Sequence, residues 1–117
     1  MQGAMNVVNQ PLSMPVVTPT EGIYTIVAAN AESIAPDSTA TWQKIWIYPA
    51  KGASGGELTA NSAAIKVGLS ATYLRDARAA TDTDYPIIYE LPLGMRMPLS
   101  RIYVKGTEED GVFYSYV

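Results

Sequence analysis

From residue 22 onward, hydrophobic positions fall in short runs that alternate with polar ones and are cut by turn residues. Residues 23–27 (Ile-Tyr-Thr-Ile-Val) are β-branched and aromatic, a composition that fits a pleated, half-buried surface. Residues 41–48 form the strongest run, stopped by Pro49. Strict alternation puts Trp42, Lys44, Trp46 and Tyr48 on one face, and Thr41, Gln43, Ile45 and Ile47 on the other. Both faces become apolar toward Tyr48, which predicts a central strand covered on both sides. Residues 64–68 give a shorter strand, and residues 85–91 follow the polar run 81–84. Residues 101–105 alternate with Ile102 and Val104 on one face, and residues 111–117 form a last strand.

Turn chemistry separates these runs. Asp110-Gly111, between two alternating segments, is a hairpin signal over residues 106–111. Residues 51–61 carry Gly52, Gly55 and Gly56 and read as a flexible loop. The single helical patch, residues 71–80 with Tyr73, Leu74 and Ala77, is short and lacks a strong cap, so a turn or one-turn helix is expected there. Short strands, eight prolines and no alternating helices predict an all-β fold. The expected form is a β-sandwich or jelly-roll-like barrel of about six to eight short antiparallel strands.

Residues 1–21 stand apart. The first charged side chain is Glu21, and before it lie Met5, Val7, Val8, Leu12, Met14, Val16 and Val17 among uncharged polar residues. Pro11, Pro15 and Pro19 forbid a helix and favour extended backbone. Segments that stay unstructured in water are usually charged and poor in aliphatics, the reverse of this one. The expectation is an extended N-terminal arm over 1–21 and a β-sandwich domain over 22–117. The arm's seven aliphatic residues are the candidate partner-binding residues, with a reach on the order of 60 Å. Cover for the domain's own sheet is the alternative.

Charge and residue types narrow the chemistry. The 117 residues suit one domain, and only 16% are charged, against roughly 25% in an ordinary one. Net charge is −3, and the eight basic residues are scattered from Lys44 to Lys105, so no nucleic-acid partner is expected. With no Cys and no His, thiol, Ser-His-Asp and His-ligated metal chemistry are excluded. No run approaches the roughly 20 apolar residues of a spanning helix, so no membrane is expected either.

Each remaining chemical candidate has a plainer reading beside it. Glu108-Glu109-Asp110, or Asp82 with Asp84, supplies carboxylates for a hard cation, but adjacent carboxylates without the spaced ligands of a calcium loop read as a solvated hairpin tip. Glu32, Glu57 and Glu90 are candidates for a hydrolytic carboxylate pair, yet nothing in the sequence pairs them. Ser54 in its glycine-rich setting lacks the histidine and helix that a nucleophile elbow requires, and those glycines lack the lysine of a phosphate loop. Trp42, Trp46, Tyr48, Tyr85, Tyr89, Tyr103, Tyr114 and Tyr116 are divided between core and a binding face, since tyrosine suits half-buried sheets and interfaces. No enzyme and no cofactor are expected.

One likeness emerges from motif order. Residues 64–71 (strand ending Val67-Gly68-Leu69-Ser70), residues 85–91 with Pro92-Leu93-Gly94, residues 98–107 (Pro-Leu-Ser-Arg-Ile-Tyr-Val-Lys-Gly-Thr) and residues 111–116 resemble, in that order, the small β-modules of tailed-bacteriophage virions. The likeness covers about residues 41–117 and departs from the pattern in residues 73–84. It implies a non-enzymatic virion structural protein of the head decoration, cement or head-fibre type. Such a protein is made in the host cytoplasm and docks on the major capsid protein or other virion proteins of the phage head. It also implies a homo-oligomer, most often a trimer. The alternatives are a spike or fibre-base module, a carbohydrate-binding β-module, and a head–tail completion protein.

Overall fold

Isoleucine and valine at alternate positions organise the chain into two four-stranded antiparallel sheets over one buried cluster. The computed structural model describes residues 18–52, 57–77 and 86–117. Sheet A has the order β1 (Thr20–Thr25), β12 (Gly111–Tyr116), β4 (Lys44–Tyr48), β9 (Ile87–Glu90). Sheet B has the order β2 (Glu32–Ser33), β11 (Tyr103–Lys105), β7 (Lys66–Gly68), β8 (Leu74–Asp76). Two small ladders complete the set: β3 (Thr41–Trp42) with β10 (Met97–Pro98), and β5 (Ala50–Gly52) with β6 (Leu58–Ala60). The helical content of the described residues is one 3-10 turn, Leu99–Arg101.

The all-β expectation therefore holds, with more and shorter strands than the six to eight anticipated. No sheet closes on itself as a barrel among the described residues. Sheet A contributes Ile45, Ile47, Ile87, Val112 and Tyr114 to the core; sheet B contributes Val67 and Val104, and Ile26, Ile34, Ile65 and Ile102 fill the space between strands. Each such side chain stabilises the fold by roughly 1.5–3 kcal/mol relative to leaving it in water. Beyond shared packing, a hydrogen bond ties the sheets: the Tyr24 hydroxyl on β1 donates to Glu32 on β2 at 2.5 Å. The same carboxylate accepts the N–H groups of Val27 and Ala28.

Several local expectations give way to tertiary contacts. Trp42 does not share a face with Trp46. The chain breaks its alternation at Gln43, whose N–H donates to Val117 O (2.8 Å), whose C=O accepts from Leu91 N–H (2.9 Å), and whose side chain bonds Leu91 O. This kink between β3 and β4 turns Trp42 inward, where it is 0% exposed beside Ile45. Its indole N–H has no hydrogen-bond partner among the described residues.

Residues 74–76, expected in a turn or helical patch, form β8 on the free edge of β7. The approach is close enough that a Cβ on Gly68 would meet the Tyr73 carbonyl. Both ends of the expected 51–61 loop are strands, β5 and β6, paired from Ala50↔Ala60 to Gly52↔Leu58. Residues 106–111 are not a hairpin, because β11 pairs with β2 and β7 while β12 pairs with β1 and β4. They form a crossover from sheet B to sheet A. The left-handed residue there is Glu109 (φ 75°), not the glycine that a tight Asp-Gly hairpin requires.

Candidate docking face

In sheet A the outward positions repeat an apolar theme. Register aligns Ile23 with Phe113 and Tyr48 in one row, and Glu21 with Ser115, Trp46 and Ile88 in the next. Ile23 is 51% exposed and Ile88 46%, while Phe113, Tyr48 and Trp46 are half-buried. The Tyr48 and Phe113 rings lie 5.7 Å apart, and the Lys44 ammonium sits 5.0 Å from the Trp46 ring while also meeting Glu90 at 3.5 Å. Polar tips with apolar bodies in cross-strand contact make a surface suited to protein contact.

The β5–β6 hairpin overhangs one end of this face and makes a groove of about 520 Å³, lined by Glu21, Gly22, Ile23, Gly52, Leu58 and Phe113 with Glu57 at its edge. Gly52 is required for that shape: a Cβ there would collide with the Ile23 side chain. The floor is apolar, and the two carboxylates mark the rim.

A polar clasp holds the hairpin in place. Asn61, just after β6, exchanges two bonds with Gly111: its Nδ2 donates to Gly111 O (2.9 Å), and its Oδ1 accepts Gly111 N–H (2.8 Å). Asp110 is 1% exposed and accepts from Ser62 N–H (2.8 Å), Ser62 Oγ (2.8 Å) and Ala63 N–H (3.2 Å), with the Lys51 ammonium 3.5 Å away. Burial is the largest single influence on its pKa and acts to raise it. The Ser62 and Ala63 donors together with Lys51 outweigh burial and hold the carboxyl below the usual carboxylate range. Asp110, expected at a solvated tip, is thus a buried anchor, whereas Glu108 and Glu109 are exposed. The sequence signal for this was Asn61, whose buried amide needs backbone partners and finds them at Gly111 beside Asp110.

The other candidates are dispersed. Glu90 lies on β9 with Lys44, Glu32 on β2 with Tyr24, and Glu57 at the groove. Among the described residues, no three acidic side chains gather as a cation site would require. Trp42 and Tyr114 belong to the core; Tyr48 and Trp46 face outward on sheet A, and Tyr103 outward on sheet B. Tyr89 is half-buried under the Arg75 guanidinium, 5.3 Å from its ring, and burial raises its hydroxyl's pKa against the opposing pull of that charge. Tyr116 stacks on Tyr114 with centroids 6.2 Å apart. The arm residues Met5, Val7, Val8, Leu12, Met14, Val16 and Val17, together with Ser54, Asp82, Asp84 and Tyr85, lie outside the described residues. The sheet begins at Thr20, so Thr20 and Glu21 at the end of the expected arm are strand residues. No helix of the described residues is long and apolar enough to cross a membrane.

Comparison with protein-family models, curated proteins and solved structures returns no match for this chain.

Proposed function

We propose that this chain is a non-enzymatic structural protein of a phage virion that docks on a capsid shell and stabilises it. The observation that carries the reading is the outward face of sheet A: an apolar, aromatic surface and an edge strand with no partner among the described residues, preceded in sequence by an uncharged aliphatic segment. The ordered set of strand and turn motifs in residues 41–117 supports the virion assignment. In this reading, residues 1–21 supply contacts to neighbouring proteins through Met5, Val7, Val8, Leu12, Met14, Val16 and Val17. Burying those seven side chains, at roughly 1.5–3 kcal/mol each, offsets only part of the cost of ordering about 20 residues at 1–2 kcal/mol apiece. Backbone pairing with a sheet edge and repetition over many copies supply the rest. The rival reading as a carbohydrate-binding module is weakened because Trp42, half of its tryptophan pair, is in the core.

The test is composition and strength of the particle. Gradient-purified virions of the source phage should contain the chain in a copy number set by shell symmetry. Adding purified chain to particles that lack it should raise their rupture temperature. Virions without the chain, or particles indifferent to it, would overturn the proposal.

A further inference from the structure

Among the described residues no strand pairs with the outer edge of β1, and the backbone polarity of that edge can be assigned. Ile26 N–H donates to Asp110 O at 2.7 Å, and Ile26 O accepts Glu109 N–H at 3.1 Å, so Ile26 faces β12's side of the ladder. By antiparallel alternation Tyr24, Gly22 and Thr20 face β12 as well. The N–H and C=O groups of Glu21, Ile23 and Thr25 therefore point to the outer edge, and their side chains lie on the outward face with Phe113. A row of donors and acceptors with no partner among the described residues, beside an apolar groove, is a template for an added strand.

Within the chain's own sequence, residues 10–18 match this template. Pro11, Pro15 and Pro19 all occupy odd positions, so in an extended backbone every missing N–H falls on one edge. The other edge keeps a complete set of donors from Gln10, Leu12, Met14, Val16 and Thr18. Those residues carry the aliphatic side chains Leu12, Met14 and Val16 in the same two-residue step as Glu21, Ile23 and Thr25. Paired residues on adjacent strands share a face. Hydrogen bonding to β1 therefore lays Leu12, Met14 and Val16 on the Ile23–Phe113–Leu58 floor. Being uncharged, the segment leaves Glu21 and Glu57 in water at the rim.

Geometry argues against the chain filling its own groove. The favoured two-residue reversal at Thr18-Pro19 takes φ > 0 at Thr18, which a β-branched residue resists, and the favoured three-residue loop ending at Pro19 takes the left-handed conformation there, which the proline ring forbids. A wider loop starts at Val16 and withdraws it from the face.

We infer that residues 10–18 of a second copy of this chain add as a strand to the β1 edge and fill the groove, so that copies assemble by exchanging arms. The inference rests on the reading of residues 1–21 as a partner-binding arm, not on that partner being a shell. Residues 1–9, with Met5, Val7 and Val8, then project on the order of 30 Å beyond the neighbour and remain for other contacts.

Cross-linking tests this directly, since the chain has no cysteine of its own. Met14→Cys is made in one full-length chain and Leu58→Cys in another of distinguishable mass; the two are mixed, allowed to exchange and treated with a short bismaleimide. The expected product is a crossed heterodimer, insensitive to salt because apolar contact and β-pairing are not screened. The Met14→Cys/Leu58→Cys double variant should give ladders between chains, and a chain starting at Thr18 should be monomeric where the intact chain is not. A double variant that links only within one chain, no link in either design, or an oligomer that survives loss of residues 1–17 would each overturn the inference. Failure of the shell proposal reads differently: arm exchange persists while particles ignore the chain.

Discussion

Sheet A and sheet B turn equivalent rows inward: Ile45, Ile47 and Val112 from one, Val67 and Val104 from the other, all fully buried. Their outward rows part company. Sheet B presents Ser33, Tyr103, Gly68 and Leu74 in one row and Lys105, Lys66 and Asp76 in the next, with the last two 3.7 Å apart. Sheet A presents Ile23, Phe113 and Tyr48, then Trp46 with Ile88. Folding dictates the inward rows in both cases and is indifferent to the outward ones. An outward row is therefore free to suit what each sheet meets, and under the docking proposal that is water for sheet B and protein for sheet A.

The comparison breaks first if the inward rows are unequal. Ile47→Ala in sheet A and Ile102→Ala beside sheet B should each lower unfolding free energy by about 2–5 kcal/mol in chemical denaturation. A small loss at either would mean that its sheet is not part of the common core.

Next comes the clasp, which fixes the overhang found on sheet A alone. Asp110→Ala leaves the donors of Ser62 and Ala63 without their acceptor and should lower stability by about 2–3 kcal/mol. Because the folded carboxyl is held below its ordinary value of 3.8, the unfolded chain binds the extra proton in acid. Its contribution is complete above that ordinary value and fades as pH falls through the lower folded one. Asp110→Asn should flatten this acid limb of the stability profile, and an unchanged limb would contradict the clasp.

A smaller effect is expected where the sheets are tied together. Tyr24→Phe removes one hydrogen bond to a partly exposed carboxylate and should lower stability by about 1 kcal/mol. Burial, then the Glu32 bond and charge, push the Tyr24 hydroxyl up to about 12. The bond's contribution is complete below pH 10 and disappears as pH rises toward that value. Spectrophotometric titration of Tyr24→Phe should lack this late phenolate.

The smallest stability change separates the outward rows most sharply. Ile23→Ser on sheet A and Tyr103→Ser on sheet B should each shift unfolding by less than about 1 kcal/mol. Only Ile23→Ser should weaken self-association in light scattering.

The strands β1, β4, β7, β9, β11 and β12 were legible because they rest on local alternation and β-branched or aromatic runs, whereas β2, β5, β6, β8 and β10 were not. Residues 41–48, 101–105 and 111–117 declare their strands in that way. The misread places all depend on partners distant in sequence. Trp42 changes face because Gln43 is held by Val117 and Leu91. Asp110-Gly111 carries hairpin chemistry, yet its carboxylate is claimed by Ser62 and Ala63, 48 and 47 residues away. Residues 74–76 look helical until β7 offers an edge. The apolar character of the arm was plain from residues 1–21, but the groove was not, because it joins β1, the β5–β6 hairpin and β12, and no local pattern connects those three.

The most direct measurement is amide hydrogen exchange at Glu21, Ile23 and Thr25, compared between the intact chain and one starting at Thr18. If the outward side of sheet A is covered by an added strand, all three exchange far more slowly in the intact chain, while Tyr103 and Lys105 on sheet B are unchanged. Equal exchange at Glu21, Ile23 and Thr25 in the two chains would contradict the account, leaving the β1 edge open to water whatever the arm does.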